Sequence, residues 1–181
     1  VNPGAVTSGT SCPVNVTGPE IDVQGGSPLT SIEDGDISPT STDHTDFGNA
    51  NVNGTLMRTF TIQNTESVPL NISSITSSNP SFTVSGVTTP MSVNNSTTFT
   101  VTFSATVTGM QNATISVVND DCDEGLYDFA VKATAITAVN LSVGANAGTE
   151  AGTTVITVTA TALAAVSGPQ TVDVAVTGTG I

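Results

Sequence analysis

Tryptophan is absent from these 181 residues, and tyrosine and histidine occur once each. The six phenylalanines are the only other ring-bearing hydrophobes, so a core has to come from them and from Val, Ile, Leu and Ala. Lys and Arg number two, Lys132 and Arg58, against fifteen Asp and Glu, for a formal net charge of −13. That imbalance argues against nucleic acid as a partner, because such affinity comes from Lys and Arg neutralising phosphates. It argues equally against docking on an anionic membrane surface. Divalent cations, which take clustered carboxylate oxygens, remain compatible. Scarce Lys and Arg leave almost nothing for trypsin-like proteases, which suits a long-lived secreted protein. No window approaches the ~18 apolar residues of a transmembrane helix. The chain opens VNPGAV, with neither an initiator Met nor a signal peptide, and is expected to be processed or a piece of something longer.

Helical periodicity is nearly missing as well. TATALAAV (159–166) is the one helix-leaning run, and it is short and flanked by β-branched residues. What is present is alternation, the mark of half-buried strands. TLMRTFTIQ (55–63) puts Leu56, Phe60 and Ile62 on one face, and PLNISSI (69–75) does the same for Leu70 and Ile72, with Ile75 shifted by a bulge. The same pattern sets Phe82 with Val84, Phe99 with Val101 and Phe103, and Ala113 with Ile115 and Val117. YDFAVKATA (127–135) aligns Tyr127, Phe129 and Val131. Turn-rich segments such as NTESVP, SSNP and TTPMSVNNS separate these runs. Short strands spaced by turns in this way predict an all-β sandwich, and 37% hydrophobic residues make a packed core affordable.

The order of the pieces, DFGNANVNG, RTFTIQNTESVPLNISSI, SFTV, TTFTVTF and NATISVVNDDCDEGLYDFAVKATA, resembles the Hydin-type immunoglobulin-like module in its bacterial choice-of-anchor form. The resemblance covers about residues 19–135. It implies a seven-stranded sandwich, often in tandem arrays on secreted bacterial proteins, with a structural or adhesive role. After Ala135 the composition changes. VNLSV, the Glu-Ala-Gly turn at Glu150, TTVITVT and QTVDVAV resemble the first half of a Calx-β module. The resulting expectation is an immunoglobulin-like β-sandwich plus an incomplete second β-sandwich. The divisions are a stray extension or strand (1–18), the sandwich (19–135) and the partial Calx-β-like unit (136–181). A segment of that last size rarely folds alone.

Candidate sites cluster in the acids. NDDCDEG (119–125) reads as a metal site, half of a disulfide, or a hairpin turn in which Asn, Asp and Gly tolerate the backbone angles. With Asn119 as position 1 of an EF-hand loop, Asp121 and Asp123 fall at positions 3 and 5, but Glu124 replaces the required Gly and Ala130 the required Glu. The turn is the favoured reading. Asp120, Asp121, Asp123 and Glu124 remain candidate Ca²⁺ ligands, and no other cofactor is indicated. A second acidic loop, EDGDISPTSTDHTDFG (33–48), offers Asp34 and Asp36 for the same purpose, beside Asp43 and Asp46. Its Gly, Pro, Ser and Thr content also fits an ordinary long connection. Glu150 can contribute to calcium binding in Calx-β modules, but the partner acids of that family's site lie in the half not represented here.

Arg58 shares a face with Phe60 and calls for a carboxylate, with Asp46 the expected partner in a structural ion pair. Cys12 and Cys122 are the only cysteines. In an oxidising compartment they are expected to form one bridge, within the chain or between chains. His44 is read as an exposed loop residue. With one His and no G-x-S-x-G elbow, no catalytic apparatus is visible. Sequons occur at Asn15, Asn53, Asn71, Asn94, Asn95, Asn112 and Asn140.

The sequence therefore predicts a non-enzymatic, extracellular or cell-surface building part whose partners are further copies of itself or neighbouring modules. The unmet strand requirement of 136–181 would be filled by continuation of the chain, or by strand donation from residues 1–18 of a neighbour. Rival readings are a calcium-dependent adhesin, a carbohydrate-binding module without the usual aromatic platform, and an accessory domain of a secreted enzyme.

Overall fold

The computed structural model describes residues 18–86, 90–143 and 157–162. Its strands are β1 (Ile21–Gly25), β2 (Thr30–Ile32), β3 (Asp46–Asn51), β4 (Thr55–Asn64), β5 (Ile72–Ser77), β6 (Phe82–Ser85), β7 (Ser96–Ser104), β8 (Gly109–Asn119), β9 (Leu126–Ile136), β10 (Val139–Val143) and β11 (Val158–Ala162). No helix occurs among the described residues. The first four residues of the helix-leaning run at 159–166 lie in β11, in keeping with the all-β expectation; the other four fall outside the described residues. Its Val and Thr fit a pleated strand better than Ala fits a helix this short.

Two sheets face each other. One has the order β2-β1-β4-β7-β6 and the other β3-β9-β8-β5. All pairings are antiparallel except β3 with β9. The alternation read from sequence becomes the inward set of each strand. Phe60 and Ile62 of β4, Phe99, Val101 and Phe103 of β7, Ala113, Ile115 and Val117 of β8, and Tyr127, Phe129 and Val131 of β9 are all buried. Each Val, Ile or Phe side chain in this set contributes roughly 1.5–3 kcal/mol on burial. All six phenylalanines are buried. Phe60 meets Phe129 across the sheets at 5.4 Å, and Phe82 meets Phe47 edge-on at 5.4 Å, so ring contacts bridge the two layers. The register of β5 on β8 slips between Ile72 and Ser74, which brings Ile75 onto the core as the bulge reading requires.

The DFG element has a local cause. Asp46 Oδ1 accepts the Gly48 N–H at 2.9 Å, and Gly48 takes a φ of 82°, open to glycine at little cost. The turn produces the irregularity in the β3–β9 register between Asp46 and Asn49. The acidic loop before it runs along β9 as a rough extra strand. Gly35 N–H bonds Asp128 O at 2.7 Å, Ala130 N–H bonds Asp36 O at 2.7 Å, and Lys132 N–H bonds Thr45 O at 3.0 Å.

Among the described residues, β10 and β11 pair antiparallel with each other alone. Every residue of β11 is exposed. Glu150, the QTVDVAV run and the 1–17 segment with Cys12 lie outside the described residues.

An acidic corner as candidate cation site

The turn from β8 to β9 is built by its own polar side chains. Asn119 is buried, accepts the Asp121 N–H on Oδ1 at 2.7 Å, and donates from Nδ2 to Glu124 O at 2.9 Å. Asp121 follows, 4% exposed, and accepts the Asp123 N–H at 3.3 Å. Its other oxygen, Oδ2, accepts the Ile21 N–H at 3.0 Å. This brings the residues before β1 to the turn, and one carboxylate oxygen each from Glu20, Asp121 and Asp123 lie within 4.8 Å of one another.

Of the four expected ligands in the turn, Asp121 and Asp123 are thus brought together. Asp120 is not with them. Its carboxylate turns to β5, accepting the Asn71 N–H at 2.7 Å and the Asn71 Nδ2 at 2.6 Å. Successive residues of an extended segment point to opposite sides, so Asp120 and Asp121 serve different neighbours. Asp34 accepts the Asp128 N–H at 2.8 Å, and Asp36 accepts the Ser38 N–H at 2.8 Å. Both have structural roles along β9. Glu20 is the member that local pattern did not reveal. It stands alone in sequence and joins the trio only because β1 pairs with β4 and docks on the turn.

The corner gathers negative charge at one end of the sandwich. Burial lifts the Glu124 carboxyl to about 7, with the charges of Asp34, Glu20, Asp121 and Asp123 adding to it. Glu20 is raised by burial and then by Asp121, Asp123 and Glu66. Asp121 is raised by burial, which the N–H groups of Ile21 and Asp123 partly offset. Asp128 is raised by burial and by Asp34. Tyr127 is pushed up by burial first, and its hydroxyl donates across the sheets to Ile32 O. The trio offers carboxylate oxygens with no imidazole or thiolate. That chemistry suits a hard cation such as Ca²⁺ and not zinc.

The expected Arg58–Asp46 pair is corrected. Asp46 lies opposite Lys132 in the β3–β9 register, and their charged groups meet at 3.2 Å. Phe47, one residue on, points inward. Arg58, inward on β4, donates from Nη2 to Phe47 O at 3.1 Å and places its guanidinium 6.0 Å from the Phe47 ring centroid. The alternation of β3 separates the two cations: the outward carboxylate takes Lys132, and the inward ring takes Arg58.

His44 departs from expectation too. It is half-buried, has a φ of 68°, and its Nδ1 is buried without a hydrogen-bond partner. The loop it occupies folds over Gly25 and Gly26. A Cβ on Gly25 would lie 1.8 Å from Asp43 O, and one on Gly26 would lie 2.0 Å from Thr42 O. Cys122 sits in the acidic turn, and no described cysteine is a free thiol. Cys12, its expected partner, is outside the described residues.

Two facing sheets with a cross-sheet tyrosine and a β3 strand running parallel to β9 define an immunoglobulin-like sandwich. The chain belongs to the HYDIN/CFA65/VesB-like Ig-like domain family, whose model matches residues 40–134. That stretch takes in β3 to β8 and all but the last two residues of β9, with β1 and β2 before it. The family is compatible with a structural, non-catalytic module. A crystal structure of a protein of unknown function from Porphyromonas gingivalis W83 is similar at 24% identity, covering 49% of this chain and 42% of that one, with a TM-score of 0.45. The chain therefore matches less than half the length of that protein. No curated protein matches.

Proposed function

We infer that this is a structural, non-catalytic module of a secreted bacterial surface protein or extracellular filament, of the choice-of-anchor type. Residues 19–135 are its body, 136–181 the start of a Calx-β-like sandwich, and 1–18 an extension able to donate a strand. The observation that carries this reading is the β10–β11 pair, which has no third strand among the described residues and in which every residue of β11 is exposed. An isolated two-stranded sheet is marginal in water and calls for further strands. These come from continuation of the chain or from a neighbouring copy, joined head to tail. Composition supports an extracellular setting, with two Lys and Arg in the whole chain. Electron microscopy and light scattering on purified protein test the polymer arm. Fibres are expected, and a folded monomer at high concentration defeats it. Removing residues 1–18 while fibres persist defeats the donor assignment alone.

The Glu20–Asp121–Asp123 trio favours one second reading, a calcium-dependent adhesive module. It requires the melting temperature to rise from EDTA to millimolar calcium, and an unchanged value removes it.

A further inference from the structure

From Ser67 to Asn119 the sequence contains no Asp, Glu, Lys, Arg or His. This stretch forms β5, β6, β7 and β8. In the five-stranded sheet it supplies β7 and β6, and in the four-stranded sheet β8 and β5. β5 and β6 lie beside each other, each the outermost strand of its sheet. The strands of this flank carry no charged side chain, and Asp120 meets it only at the Asn71 end of β5. The described charged side chains stand on β1, β3, β4, β9 and the connecting loops.

Among the described residues the flank is also an open edge. Sheet edges invite pairing with another chain and are usually guarded by charge, proline or a bulge. β6, FTVS, has no charge and no proline, and its pairing with β7 is regular. Ser104 N–H bonds Ser81 O at 2.8 Å. The alternation of an antiparallel ladder then turns the Val84 amide and carbonyl away from β7 toward the free edge. Beside them is a cavity of about 130 Å³ lined by Ile75, Val84, Ser85 and Gly86.

We propose that this neutral flank is a homotypic docking edge, on which the same flank of a second copy sits with β6 antiparallel to β6 across a two-fold axis. Charge selects the occupant. Two copies at −13 each repel over their acidic faces and meet without carboxylate opposition where flank faces flank. A two-fold interface is self-complementary by construction, so one uncharged edge serves both partners. Main-chain hydrogen bonds from Val84 supply the pairing, and an apolar side chain of the partner enters the cavity beside Ile75.

Sedimentation or light scattering of the full chain over a concentration series tests the pairing. A two-copy species is expected, and salt strengthens it by screening the mutual repulsion. Ser85→Glu adds like charge to the exposed edge strand, and Val84→Pro removes the outward donor while an edge strand still accepts proline. Both variants should lack the two-copy species at tenfold the wild-type dissociation constant, with unchanged circular dichroism. Asn49→Glu, on the opposite edge of the four-stranded sheet, should still pair. A wild type monomeric at all concentrations and salts overturns the proposal. So does a two-copy species that survives both edge variants in folded form.

Discussion

Ile21 and Asp121 stand a hundred residues apart and are joined by a 3.0 Å hydrogen bond from the Ile21 N–H to the Asp121 Oδ2. The bond ties the first strand of one sheet to the turn between two strands of the other. Asp121 is buried, so removing its carboxylate leaves backbone donors without acceptors. Asp121→Ala should cost about 1–3 kcal/mol in urea unfolding. Asp121→Asn keeps one acceptor and removes a charge from a crowded corner, so its loss should be smaller. Equal losses in the two variants would show that packing of the turn, and not the hydrogen bond, sets the effect.

The acidic corner makes stability fall with rising pH. Glu124 has its carboxyl raised from 4.5 to about 7 in the folded state, so between those values the folded chain holds a proton that the unfolded chain has released. Stability is full below the unfolded value and is lost as pH rises through the folded one. Glu20, Asp121 and Asp128 are shifted in the same direction. The melting temperature should be higher near pH 5 than near pH 8, and Glu124→Gln should flatten that slope. A slope unchanged in Glu124→Gln would assign the effect to the other three groups.

The strands that were legible in sequence are those with long, regular alternation. β4, β7, β8 and β9 each bury a run of alternate residues that includes Phe60, Phe99, Ile115 or Phe129. β1 and β2 have five and three residues, too few for a period to stand out. β3 hides its alternation behind the turn at Gly48. The site was half legible for a related reason. Asp121 and Asp123 share a turn and stand together in the sequence, but Glu20 reaches them only through the pairing of β1. The sequence pairs Asp46 with Arg58 and the structure with Lys132, because the parallel partner of β3 is set by tertiary structure. No local signal says that Lys132 and not Arg58 lies across from it.

The two basic residues should respond differently to substitution. Lys132 and Asp46 form a partly exposed pair at 3.2 Å, and such pairs contribute about 0–1 kcal/mol. Lys132→Met should shift stability by no more than that. Arg58 is half-buried, packs against Phe47, and has a buried Nε without a partner. Arg58→Ala removes its packed stem and should cost about 1–3 kcal/mol, and Arg58→Met, which restores apolar volume, should recover much of the loss. The reverse order in chemical denaturation would place the value of Arg58 in its bond to Phe47 O.

A bridge between Cys12 and Cys122 would fasten the N-terminal segment to the acidic corner. The chain-entropy model gives a loop of this length about 4–5 kcal/mol. Intact mass without reductant should show no free thiol, and reduction should lower the urea midpoint of a species that runs as a single chain. A doubled mass that collapses on reduction would place the bridge between copies, and two alkylated thiols would remove it.

The loop carrying Asp43 closes over Gly25 and Gly26 so tightly that neither position has room for a side chain. The Cβ of Gly25→Ala would fall 1.8 Å from Asp43 O, and that of Gly26→Ala 2.0 Å from Thr42 O, where Gly26 also has a φ of 87°. The obstacles are backbone atoms, so relief requires the loop to lift. Asp43 is itself pinned there, its Oδ1 accepting the Thr45 N–H at 3.0 Å and hydroxyl at 2.6 Å. Overpacking of this kind costs about 1–3 kcal/mol, and Gly26→Ala adds roughly 1–3 kcal/mol of backbone strain. Both variants should unfold at lower urea, Gly26→Ala the lower of the two. If they match the wild type, the loop is free to lift without cost, and hydrogen exchange at Thr45 should then be fast in the native protein as well.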